Sequence, residues 1–109
     1  MANFNDYLNG AKAGISEVAV SEFAQYKKEL ESETKEFLSL IKEDLQRWTS
    51  ALVEGKLSKT DFEFLVRGKG EHLRLRVLSN AGIASAKADK LRNKIVGIVI
   101  EKAFLILLA

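Results

Sequence analysis

Apolar and small residues recur at steps of four and three through the last third of the chain: Val77, Ala81, Ala84, Ala88, Leu91, Ile95 and Ile98, with Lys102 and Leu105 next in the series. Steps of this kind keep one face of a helix toward a partner over many turns, so the pattern predicts a helix built to lie against another helix. A second stripe occupies the first half, at Ala19, Phe23, Tyr26, Leu30, Thr34, Phe37, Ile41, Leu45, Trp48 and Leu52, widened by Leu38. Read as one helix over 15–54, it would reach on the order of 60 Å at the helical rise per residue, a length typical of coiled coils and extended bundles.

Start and stop signals divide the rest. Phe4, Tyr7 and Leu8 predict a short N-terminal element over 1–14, ended by Gly10 or Gly14, because a glycine weakens a helix by about 1 kcal/mol relative to alanine. Ser16 then serves as the N-cap of the long helix, with Glu17 and Glu22 near its positive end. Gly55 has the freedom to cap the C-terminus, and Lys56 follows where positive charge is favoured. Thr60 with Glu63, or Ser58 with Asp61 just before, has the spacing of a capping box. A short capping helix is expected over 59–67, carrying Phe62, Phe64, Leu65 and Val66, followed by a turn at Gly68-Lys69-Gly70. That turn lacks the remainder of a phosphate-binding loop. A second long helix over 71–108, about 55 Å by the same rise, completes the chain.

The expected fold is therefore all-α, one helical domain over 1–109. It is a long antiparallel hairpin with a short capping helix, completing a helical bundle or coiled coil by self-association. Beyond Lys94 the sequence is almost wholly apolar apart from Glu101 and Lys102. A helix hydrophobic on all sides needs a core or a membrane around it, and a two-helix hairpin covers only part of it. A homo-oligomer follows, a dimer as the simplest. The alternative is a membrane-active or pore-associated protein that releases this segment to lipid. Against it, the segment is shorter than the roughly 20 apolar residues that span a bilayer.

The net charge of +2 conceals a division. Residues 1–54 hold six Lys and Arg against ten Asp and Glu, and residues 55–109 hold eleven against five. Either an acidic helix pairs with a basic one inside the fold, or the basic half faces nucleic acid or anionic lipid. Matching helix lengths favour the first. Residues 29–36 are dense in glutamate, a solvated stretch or an acidic patch for a basic partner. Arg67, Lys69, His72, Arg74 and Arg76 form one basic cluster, and Lys87, Lys90, Arg92 and Lys94 another. Neither is interleaved with the aromatic residues that stack single-stranded bases, and no nucleic-acid-binding motif is present, so such a partner is not expected.

The absence of proline suits uninterrupted helices, and the absence of cysteine leaves no disulfide or thiolate chemistry. His72 is the only histidine, and no glutamate precedes it by three, so neither zinc nor the di-metal pattern of helical bundles has its ligands. No catalytic, cofactor-binding or metal residue is assigned and no cofactor is expected. Glu101 beside Lys102 is the one unusual ionisable pair: Lys102 either fixes register on the seam, or both side chains reach out to water. Residues 1–10 carry Asp6 without lysine or arginine and lead into no apolar run, unlike a secretory signal, so the cytoplasm is the expected location. The reading is a non-enzymatic structural or protein-interaction bundle that self-associates through its apolar C-terminal helix.

Overall fold

Two corners that no proline or glycine pair announces turn the expected hairpin into a four-helix bundle within one chain. The structure, a computed structural model, describes residues 3–80 and 82–108. Among them run α1 (Phe4–Glu22), α2 (Lys27–Val53), α3 (Lys59–Asn80) and α4 (Ser85–Lys102), with a 3₁₀ turn at Ala24–Tyr26 and a π-helical turn at Ala103–Leu107. Each helix packs on its neighbour in sequence and α4 also packs on α1, giving an all-α, up-down-up-down bundle. The molecule measures 40 × 23 × 19 Å. Its long axis is the length of α2, about 40 Å for 27 residues.

The helix expected over 15–54 is divided at Phe23. This residue leaves helical geometry (φ −131°, ψ 33°) and drives its ring into the core, so the stripe of apolar positions continues through the corner although the helix does not. Nor does a helix begin at Ser16. Asn3 caps α1 instead, its side chain accepting from the Asp6 amide while the Asp6 carboxylate accepts from the Asn3 amide, and α1 runs unbroken through Gly10 and Gly14. Those glycines are notches: a Cβ on Gly14 would stand 2.9 Å from the Ile98 side chain, and one on Gly10 would stand 2.5 Å from that of Ile106. Close packing against α4 offsets their low helix propensity.

The same logic removes the expected turn at Gly68-Lys69-Gly70. The predicted capping helix and the first part of the second long helix are one element, α3. Gly70 is buried inside it, and a Cβ there would lie 2.7 Å from the Val96 side chain. Ser58 starts this helix by accepting from the Asp61 amide, the earlier of the two capping-box positions. The stop at Gly55 is as expected. With φ at 76° it closes a Schellman motif in which the Lys56 amide donates to Ala51 and the Gly55 amide to Leu52. The second corner falls at Gly82, φ 65°, within the tract expected to be helical, and Ile83 tucks into the core beside it. Ala81 of that tract lies outside the described residues.

Tyr7, Phe37, Phe62, Leu73, Leu91 and Ile95 are enclosed at the centre. Ile95, Val96, Val99 and Ile100 are all buried, so four helices of one chain cover much of the segment that a two-helix hairpin would have left bare.

The glycines of α3 provide a test. Gly68 faces open space, so Gly68→Ala should raise stability by about 0.5–1 kcal/mol through helix propensity alone. Gly70→Ala gains the same term but presses on Val96 and Arg92. Overpacking of this kind costs about 1–3 kcal/mol, so this variant should be the less stable of the two and fall below the parent in urea unfolding.

Candidate functional site

The bundle folds the basic half of the sequence onto the acidic half. Lys69 of α3 meets Asp44 of α2 at 3.3 Å, Arg76 of α3 meets Glu33 of α2 at 2.9 Å, and Lys94 of α4 meets Glu22 of α1 at 2.8 Å. Lys69 and then Arg47 hold the Asp44 carboxyl below its usual range. Between α3 and α4, Arg74 pairs with Asp89 and Glu71, and Arg92 reaches Glu71 at 3.3 Å. The Arg74 guanidinium is held above its ordinary value, chiefly by its hydrogen bond to Asp89. Much of both basic clusters is thus spent on internal partners, including Glu33 of the glutamate-rich stretch, as the first account of the charge division requires. Lys87 lies 5.7 Å from the centre of the Tyr26 ring.

His72 is exposed, and no group of three metal-ligating side chains gathers among the described residues. Glu101 is exposed as well. Lys102 is half-buried with its aliphatic stem beside Gly10 and Gly14, and it makes no ion pair among the described residues. It follows that Lys102 lays its stem over the α1 notches, the snorkelling arrangement.

Two surface features remain. The first is the foot of the bundle, where α1 and α3 begin and α2 and α4 end. Val53 and Leu105 are each 55% exposed there. A cleft of about 220 Å³ opens among Phe4, Val53 and Leu107, with Thr49, Ser50 and Glu54 on its polar side. Phe64, on the second turn of α3, is 76% exposed, the most open large apolar side chain among the described residues. Lys59 stands 5.3 Å from the centre of the Phe104 ring, which packs on Phe62.

The second feature is a groove between α1 and α2. A compartment of about 280 Å³ has Ile15 and Ala19 on one wall, Leu30 and Leu38 on the other, and Thr34 among its lining residues. Its rims carry Lys12, Ser16, Glu31 and Lys35. A narrower compartment of about 190 Å³ shares Lys12, Lys35 and Leu38 with it and continues to Leu8, Ser39 and Lys42. Thr34 is 4% exposed, and its hydroxyl is buried without a hydrogen-bond partner among the described residues. The sequence reading placed Thr34 correctly on the packed face but gave no sign of the groove, because a gap between two amphipathic helices leaves the same apolar spacing as a filled seam.

At the foot, the buried Tyr7 hydroxyl donates to the Val99 carbonyl at 2.9 Å. The Ala103 amide bonds to Ile100 instead, as the last turn widens into π geometry. Burial pushes the Tyr7 phenol far above the ordinary value. No protein-family model matches the sequence, and no curated protein or solved structure matches it either.

Tyr7→Phe strands the Val99 carbonyl and should lower stability by about 1–3 kcal/mol at neutral pH. A raised phenol in the folded state means that the unfolded chain ionises first, so the tyrosine's contribution is intact below about pH 10 and lost above it. The gap between parent and variant in urea unfolding should therefore shrink above that pH.

Proposed function

We propose that this chain is a non-enzymatic protein-interaction bundle that pairs with a second copy of itself through its foot, the end formed by the apolar C-terminal segment. The observation carrying this reading is the exposure of Val53 in a cleft shared with Phe4 and Leu107, together with the exposure of Leu105 at the same end of the bundle. Exposed apolar groups gathered at one place mark contact surfaces, whereas scattered ones do not. Around them stand charges of both signs, Glu54, Lys56, Lys59 and Glu101, the composition that a self-complementary two-fold contact uses.

The original reason for self-association has changed. The hairpin needed a second copy to bury its C-terminal helix, but the four-helix bundle buries most of that helix itself, and only the outward positions from Phe104 onward remain for a partner. The contact supported here is correspondingly smaller, an end-to-end junction rather than a shared core. No helix among the described residues is long and apolar enough to cross a membrane.

Light scattering after size exclusion at rising concentration tests the proposal. The parent should approach a dimer, and Val53→Lys with Leu105→Glu should shift it to a monomer with unchanged helical circular dichroism. A parent that stays monomeric at high concentration, or a dimer indifferent to both substitutions, would overturn the reading.

A further inference from the structure

The α1–α2 groove is wider than the compartment of about 180 Å³ that opens between α3 and α4 at Arg67, Arg92, Asn93 and Val96. α4 is drawn against α1 by glycine notches and against α3 by Gly70, while the α1–α2 junction stands open enough to hold a compartment of about 280 Å³. Its walls are aliphatic, and Thr34 is among its lining residues with a hydroxyl that is itself buried from the surface.

Charge along the groove is uneven. Lys12 and Lys35 face each other across the point where the two compartments join, and Lys42 stands beyond them on the narrower side. None of the three makes an ion pair among the described residues, in which they resemble Lys27, Lys28, Lys59, Lys87, Lys90 and Lys102 and differ from Lys56, Lys69 and Lys94. A carboxylate does reach the wider compartment, that of Glu31, but three ammonium groups outnumber it. An apolar trough with an unneutralised cationic rim is complementary to an amphiphile with an anionic head.

From this we infer that the α1–α2 groove binds a single-chain fatty carboxylate. The carboxylate lies between Lys12 and Lys35, and the alkyl chain runs along Ile15, Ala19 and Leu30. The volume matches one chain of medium length. Because the groove lies on the flank of the bundle and the self-association surface at its foot, neither proposal depends on the other.

The experiment titrates isotope-labelled protein with sodium laurate below its micelle concentration, following amide and methyl NMR shifts. Saturable binding with shifts at Ile15, Thr34 and Leu38 is expected. Replacing Lys12, Lys35 and Lys42 together by glutamine, all exposed positions, should weaken it at least ten-fold with helicity retained by circular dichroism. Dodecyltrimethylammonium, with the same tail and the opposite charge, should bind at least ten-fold more weakly than laurate. Equal binding of the two amphiphiles, indifference to the lysine substitutions, or absence of saturation would each overturn the inference. So would preferential binding to phosphatidylglycerol vesicles with no affinity for free laurate, which would assign the lysines to a membrane surface. Concentration-dependent shifts of the same residues without ligand would assign the groove to a second copy and overturn it equally.

Discussion

The closeness of α4 to both of its neighbours governs this bundle. Its part beyond Lys94, apolar on nearly every side, has to be covered on more than one face. Gly10 and Gly14 of α1 and Gly70 of α3 are the places where a missing side chain lets Ile98, Ile106 and Val96 come within reach of a backbone. The cost in helix propensity is about 1 kcal/mol per glycine, and the packing of branched side chains into the notches offsets it. What those contacts leave over is the α1–α2 junction. With α1 seated on α4, the opposite flank of α1 meets α2 across aliphatic walls and an open groove.

Electrostatics reinforce the arrangement without creating it. The ion pairs are largely solvent-exposed, and contacts of that kind contribute about 0–1 kcal/mol each. Their value lies in pairing the right helices: acids on α1 and α2 face bases on α3 and α4, so the ring order that satisfies the core also satisfies charge. A mispaired topology would set the basic clusters of α3 and α4 against the wrong neighbours, and like charges in apposition penalise such alternatives.

The class of fold was legible in the sequence because periodicity survives a corner. Phe23, Tyr26 and Leu30 keep their three- and four-residue spacing whether the backbone continues or turns, so the buried face could be named while the break between them could not. Gly55 was read correctly because its left-handed conformation is a local property that a single residue reports. Gly70, Gly10 and Gly14 are not the stops that the sequence suggests, for the complementary reason: their role is set by side chains far away in sequence, and nothing local separates a glycine that ends a helix from one that admits a neighbour; Gly68 admits none and simply continues the helix. Gly82 is the opposite case, a corner inside the helix expected over 71–108. The groove was invisible for a related reason, since the distance between two helices is not written on either of them. The cationic residues that rim it, Lys12, Lys35 and Lys42, carry no spacing in the sequence that sets them apart from any solvated face.

The hydrogen bond from Tyr7 to Val99 joins positions 92 apart in the chain and binds the first helix to the last. The ring of helices is consequently closed by its final member. A growing polypeptide can form the α1–α2 and α2–α3 junctions as soon as they emerge, because these rely on near neighbours and form quickly. The notched face of α1 and the buried side of Gly70 on α3, however, have nothing to receive until α4 is synthesised. Until then the apolar faces that α4 will cover stand open to water, the condition in which nascent bundles are most prone to swap helices with one another.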